Sequence, residues 1–471
     1  MENQRIKRSR GIEVNTMTIL DASGFKKDTQ DLIDDRLAFI EAVRSASIAP
    51  ENGIAPTKKM CEAIFEILKE DNSLELIMAS YRLLTELDKH FPRVYASKLE
   101  KSEIPSPSSV PELVVVEEAW SPFISGSDSE REDANKNSGS LDFAGFEILI
   151  QDLAKAAVGR KMEEFETKYL RNMVLLQYLI SVLEGDFVPR NSVFKENMDW
   201  NLLRVSLLNT ILGSRRISYK DLIKGCLSII CEMSHLHAEH SDYMTLPKSS
   251  SAELFKSLDT AGAISFPEVR KCLLRALQKF LLMAMELDTS RKKADIQGLT
   301  TRADGVRTPV VEIIQDELTY NRDAISPFFQ VFNEPQWKME ILLQYFQKYI
   351  AKPSVLTRRS SEPIEDATFD GVLKCFSNIN SVKSIIKKIS IEVAQLLLAH
   401  TFQAYLSLSF QPSADASYKS KEDVRDSSMA EVCKNIISAF VNLRRIDERV
   451  EILPFGKEAL FTAATILSTK S

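Results

Sequence analysis

PEVRKCLLRALQKFLLMAMEL, Pro267–Leu287, sets the fold class. Val269, Leu273, Ala276, Leu277, Phe280, Ala284 and Leu287 recur at intervals of three and four, which puts them on one face of a helix turning every 3.6 residues. Proline at the start suits a first helical turn, where its missing N–H has no intrahelical partner in any case. The same period recurs outward in both directions. Met60, Ile64, Ile67 and Leu68 share a face, and Leu74, Ile77, Met78, Tyr81 and Leu84 share another that stops before Phe91-Pro92. Ser428 and Glu431 have the S-x-x-E spacing of a capping box ahead of Val432, Ile436, Ile437 and Phe440. Further helices are predicted at about 31–48, 143–156, 163–184, 195–213, 219–233, 309–320, 335–350, 381–406 and 455–468. Strict alternation hardly appears, and the only β-like run, Leu113–Val116, is short and lies in a polar tract.

The predicted fold is therefore all-α. Helices of this length joined by short connections suit an irregular armadillo/HEAT-like repeat stack, with a compact helical bundle as the alternative because no clean period repeats. Only 15 of 471 residues are glycine, about half the usual share, which disfavours tight hairpins and phosphate-cradling loops. By composition the chain divides into a flexible basic N-terminus (1–28), an N-terminal helical part (29–100), a disordered acidic Ser/Pro-rich linker (101–140) and a main helical solenoid (141–471). The linker has eight acidic and three basic residues, so most of the chain's net charge of −6 resides there. Its apolar content is too low to offset the entropy of ordering it. The remainder is nearly neutral and lacks the basic footprint of a nucleic-acid-binding protein.

Six cysteines occur without a C-x-x-C pair, as expected of reduced thiols in a reducing compartment. The longest apolar runs, such as Phe280–Met285, are far too short to span a membrane. Lys7-Arg8-Ser9-Arg10 fits a short basic import signal, and Ser127 and Ser129 each precede an acid by three positions, as an acid-directed kinase prefers.

No nucleotide-binding, P-loop, zincin or nucleophile-elbow motif occurs. Phe455-Gly456-Lys457-Glu458 has a glycine and lysine in P-loop order, but Glu458 stands where Ser or Thr is required, and a helix start is the simpler reading. Cys226, Cys231, His235, His237 and His240 cluster, yet a structural zinc site draws four ligands from two separated pairs and no second pair is present. The sequence thus predicts no catalytic residues, no cofactor and no metal. Trp337 reads either as an anchor for a partner or as a packing residue.

One segment interrupts the helices, MELDTSRKKADIQGLTTRADGVRTP, Met285–Pro309. Arg291, Lys292, Lys293, Arg302 and Arg307 are nearly balanced by Glu286, Asp288, Asp295 and Asp304, which is wrong for tracking phosphates. Thr308-Pro309 is a good helix start. If the preceding helix ends near 288, a connection of about 20 residues remains, longer than bundled helices usually need. The expectation is an ordered loop, its charges paired among themselves or with neighbouring helices, that either presents some basic residues to a protein partner or serves only as a connection.

Several long stretches carry a resemblance: VRSASIAPENGIAP (43–56), AWSPFISGSDS (119–129), the 285–309 segment, IIQDELTY (313–320), NEPQWKMEILLQYFQKYIAKP (333–353) and VEILPFGKEALFTAA (450–464). In these the chain resembles the plant family of negative regulators of systemic acquired resistance, leucine-rich nuclear proteins first regarded as transcriptional repressors of defence genes. The resemblance implies an armadillo-like fold and a nuclear location. It also implies membership of the third eukaryotic SMC complex, the DNA-repair relative of cohesin and condensin, as a non-enzymatic subunit. The implied partners are a second non-SMC subunit and the SMC proteins. It provides no catalytic or cofactor residues. The alternative class is a repressor that binds DNA or chromatin directly; the near-neutral fold favours protein contacts.

Overall fold

The structure is a computed structural model that describes residues 13–20, 29–48, 53–97, 112–116, 119–123, 140–158, 167–238, 266–349, 368–410 and 422–469. Contacts divide the chain into two compact units, Met1–Val310 and Val311–Ser471. Each is built of packed helices, and the all-α, irregularly stacked class holds in both. Helix lengths run from 5 to 31 residues, so no fixed repeat length could appear in the sequence.

In the first unit, α1 (13–20) and α2 (Thr29–Ser47) precede α3 (Lys58–Glu70) and α4 (Leu74–His90). Thr57 caps α3 by accepting from the Met60 N–H at 3.4 Å, and Met60, Ile64, Ile67 and Leu68 are buried as their spacing predicts. The α4 chain ends at Phe91-Pro92 and continues into a two-stranded antiparallel sheet. Its strands are β1 (Val94–Ser97) and β2 (Glu112–Val115), with Val94 opposite Val115 and Ser97 opposite Glu112. This strand lies inside the tract expected to be disordered. Nearby, Trp120 packs edge-on against Phe65 at 5.5 Å, and Phe123 packs against Phe146 at 5.8 Å. Within the N-terminus expected to be flexible, residues 13–20 form helix α1; the rest of it, the serine pair at 127 and 129 and most of the linker lie outside the described residues.

Next come α5 (Phe143–Val158) and α6 (Thr167–Asn197). The helix expected to stop near 184 runs on through Pro189. Proline there removes one backbone hydrogen bond, but tertiary contacts hold the helix together past it. Asp186 and Arg190, both buried, pair at 3.1 Å one turn apart, Arg190 Nη1 donates to the Leu202 carbonyl, and Asp186 accepts from the Leu207 N–H at 2.7 Å. That carboxylate and guanidinium thereby fasten α7 (Trp200–Arg204) and α8 (Leu207–Leu212) to α6. A single helix over 195–213 was expected; Asp199 and Ser206 each cap a new one instead, accepting from Asn201 N–H and Asn209 N–H.

The opening stretch lies in α10 (Phe266–Ile296), after α9 (Tyr219–Ala238). All the stripe residues except half-buried Ala276 are buried, and the helix packs along α6. Beside the apolar contact runs a polar seam. Asn191 donates to Glu286 at 2.7 Å and accepts from Ser290 at 2.9 Å, Lys195 reaches Glu286 at 3.3 Å, and Lys279 reaches Glu184 at 2.8 Å.

The second unit comprises the rest of α11 (Val310–Tyr320), α12 (Ile325–Val331), α13 (Pro335–Gln347), α14 (Phe369–Ser377), α15 (Ile379–Ile386), α16 (Ile391–Ser409), α17 (Glu422–Ile446) and α18 (Pro454–Thr469). The predicted helix over 381–406 is broken where Ser390 caps α16 on the Val393 N–H at 3.3 Å. Ser428 does not begin a helix, since α17 starts at Glu422. The core is aromatic: Phe328 stacks on Phe332 at 5.2 Å, and Phe346 meets Phe376 edge-on at 5.7 Å. Phe455-Gly456-Lys457-Glu458 is the first turn of α18, as the helix-start reading requires. Its glycine allows close approach, because a Cβ at Gly456 would lie 2.8 Å from the Phe440 ring.

Candidate partner-binding site

The connection after α10 is shorter than expected because the helix continues two turns past Asp288, to Ile296. No apolar stripe marks those turns: their buried positions are Ser290 and Ala294. Gly298 ends the helix. With φ +71°, it donates to the Asp295 carbonyl at 3.0 Å while Leu299 donates to Ala294 at 2.9 Å, the paired bonds of a Schellman motif. A short 3-10 turn, Arg302–Asp304, follows before α11.

Two carboxylates organise this connection. Asp304, its side chain only 3% exposed, accepts from the Thr301 N–H at 2.7 Å, the Thr301 hydroxyl at 3.0 Å and the Trp200 indole at 3.2 Å, with Arg204 at 3.3 Å. Burial opposes its ionisation, but the Thr301 backbone, Trp200, the Thr301 hydroxyl and Arg204 outweigh burial and hold the carboxyl below its usual range. Asp288 accepts from Arg307 at 2.6 and 3.2 Å and from the Val310 N–H at 2.8 Å, so it also caps α11. Arg307 lies over the Tyr219 ring, 5.2 Å from its centroid. Arg291 donates to the carbonyls of Asp304, at 2.8 Å, and Gly305.

The five candidate bases thus separate into two sets. Arg291 and Arg307 are fixed to the backbone and to Asp288. Lys292, Lys293 and Arg302 are exposed and make no ion pair among the described residues. Beside these three lie uncovered apolar side chains, Ile296 at 77% exposure, Leu299 at 43% and Val306 with its side chain fully in solvent. An outward surface that is both basic and apolar suits a protein face carrying acids and an apolar pocket better than it suits a phosphate backbone. Trp337 belongs to the other unit, half-buried on α13. Its neighbour Lys338 turns inward and donates to the Phe329 carbonyl at 2.7 Å, with burial lowering its ammonium to about 8.

The anchors from outside the segment, Trp200, Arg204 and Tyr219, were not evident from sequence, because they lie 88 to 104 residues away from what they hold. Gly298 was missed too, although a glycine after a charged helical turn is a helix-stop signal that could have placed the helix end. Of the cysteine–histidine cluster, Cys226 and Cys231 are buried on α9, and the three histidine side chains lie outside the described residues. Among the described residues no group of three His, Cys, Asp or Glu side chains could hold a metal, and no helix is long and apolar enough to cross a membrane.

Fold and site together define an all-helical protein that presents a side-chain-locked connection to its surroundings. Residues 93–334 match the SNI1 middle domain and 350–471 the SNI1 C-terminal domain, so the chain belongs to the SNI1 family. It is 44% identical to the negative regulator of systemic acquired resistance SNI1 of Arabidopsis thaliana over 462 residues, covering 98% of this chain and 95% of the relative. No solved structure matches it.

Proposed function

We propose that this chain is a negative regulator of systemic acquired resistance that works without catalysis, as a nuclear scaffold subunit of the SMC-type DNA-repair complex. Kinship along nearly the whole chain with a relative bearing that regulator's name carries the reading. The architecture supports it, since stacked helices offer extended surface and the candidate site offers charge and apolar area with no reactive constellation. The partners in this reading are a second non-SMC subunit and the SMC proteins, reached in part through Lys292, Lys293 and Arg302. Loss of the protein raises DNA damage and homologous recombination and derepresses defence genes.

Affinity purification of the tagged full chain from plant nuclei tests this reading. Recovery of SMC proteins with a second helical subunit is the expected result. Recovery of neither, together with retention on duplex DNA that weakens steeply with salt, would instead identify a repressor acting directly on DNA.

A further inference from the structure

The two-stranded sheet of the first unit has an edge with no partner strand. The Val116 N–H donates to the Arg93 carbonyl at 2.9 Å, and these two residues continue the register in which Val94 faces Val115. Opposed residues in an antiparallel ladder alternate between pairs that are hydrogen-bonded to each other and pairs that are not. Arg93 and Val116 are of the bonded kind, so Tyr95 with Val114 and Ser97 with Glu112 are too. The N–H and C=O groups of Leu113 and Val115 therefore point away from β1, and they make no other main-chain hydrogen bond among the described residues. Exposure identifies β2 as the outer strand: Val94 is 3% exposed and Val115, directly across from it, 44%. Edges of this kind are templates for another chain, and proteins commonly blunt them with charges or proline. Here Leu113–Val116 carries neither, and the blunting residues, Pro111 and Glu112 before it and Glu117 and Glu118 after it, stand only at its ends.

The edge's needs define its occupant. Donors and acceptors alternating along a strand are met by the main chain of a second extended segment, the mode by which peptides add a strand to an exposed sheet edge. The branched aliphatic side chains of Leu113–Val116 match β-branched neighbours on such a segment. The charges add a further requirement. Acids bracket the run at both ends, and opposite charges across a strand pair attract whereas like charges repel. A second copy of this chain would bring the same acids to the edge, so the charges select a different protein. We propose that β2 binds an extended segment of a partner protein, a β-branched stretch of about five residues flanked by Lys or Arg, which adds as a third strand on the main chain of Leu113 and Val115. This edge is separate from the 285–309 connection and does not depend on its role.

The test is fluorescence anisotropy of the full chain with a labelled, end-capped peptide of alternating Val and Thr with Lys at both ends, beside the same peptide with Glu at both ends. The Lys-ended peptide should bind saturably and the Glu-ended one about fivefold more weakly. A Lys-ended peptide with its central amides N-methylated has no N–H to offer and should not bind. Val115→Pro removes an N–H that points away from β1 and so leaves the β1–β2 ladder its bonds; it should weaken binding about tenfold. Glu112→Lys leaves the main chain intact and should narrow or reverse the preference for the Lys-ended peptide, which keeps the test decisive if Val115→Pro lowers the melting temperature. Reversing Lys292, Lys293 and Arg302 should leave binding intact. Absence of saturable binding, binding of the N-methylated peptide, indifference to Val115→Pro in a variant that melts with the parent, or an unaltered preference in Glu112→Lys would each overturn the assignment. So would sedimentation showing that the chain alone dimerises and that Val115→Pro abolishes the dimer, since a second copy would then hold the edge.

Discussion

Arg291 and Lys292 are adjacent in sequence and opposite in role. Arg291 spends its guanidinium on the carbonyls of Asp304 and Gly305, whereas Lys292 is exposed and makes no ion pair among the described residues. Arg291→Ala should therefore cost ~1–2 kcal/mol in a denaturant titration, since it removes charge-assisted bonds to carbonyls that are partly shielded from water. Lys292→Glu should stay within about 0.5 kcal/mol of the parent. Equal effects would mean that the two positions are not distinguished as described. A second residue-scale prediction concerns His400, which is 1% exposed between Phe329 and Phe455. Burial, then the Lys338 charge, lowers its imidazole to about 3 against the opposing hydrogen bond of Gln403. The unfolded chain therefore takes up a proton near pH 6.5 that the folded chain refuses until about 3. Stability is full above 6.5 and is lost as the pH falls from 6.5 towards 3. Between pH 6.5 and 5 the parent should lose roughly 1.5 kcal/mol more than His400→Gln, which cannot titrate. Parallel pH profiles would refute this.

At the scale of elements, the apolar stripes made most helices legible. Where expectation and structure part, the deciding contact is remote in sequence or polar. The α6 helix survives Pro189 because Asp186 and Arg190 fasten it to residues further along the chain, and α10 outlasts its stripe through Ser290 and Ala294. The β1–β2 pairing joins short strands across a polar tract, which no local pattern reports. Of the candidate site, the charge balance of 285–309 was legible, but which bases are fixed and which have no ion pair among the described residues depended on Trp200, Arg204, Asp288 and Asp304 in three dimensions. Two glycines test these elements. Gly298→Ala forces a Cβ into a left-handed backbone with no neighbour within 4 Å, so backbone strain alone applies and should cost about 1 kcal/mol. Gly456→Ala keeps good helical geometry but places a methyl 2.8 Å from Phe440 and 2.9 Å from Ile452, so overpacking should cost ~1–3 kcal/mol. If thermal unfolding ranked Gly298→Ala well above Gly456→Ala, that division of causes would fail.

For the whole molecule, most of the net charge of −6 lies in the 101–140 tract, and the sequence of the near-neutral remainder contains no motif for reading nucleic acid. Stacked helices of unequal length, a connection whose Lys292, Lys293 and Arg302 are exposed and make no ion pair among the described residues, and kinship with SNI1 along both units support the proposed reading of a scaffold that acts by holding partners. The most direct measurement is capture of nuclear SMC-complex proteins by the full chain against the Lys292→Glu, Lys293→Glu, Arg302→Glu variant, with thermal stability recorded for both. The account predicts that the variant melts with the parent, within the ~0.5 kcal/mol expected of surface changes, and loses most of its captured partners. Undiminished capture by a stably folded variant would contradict it.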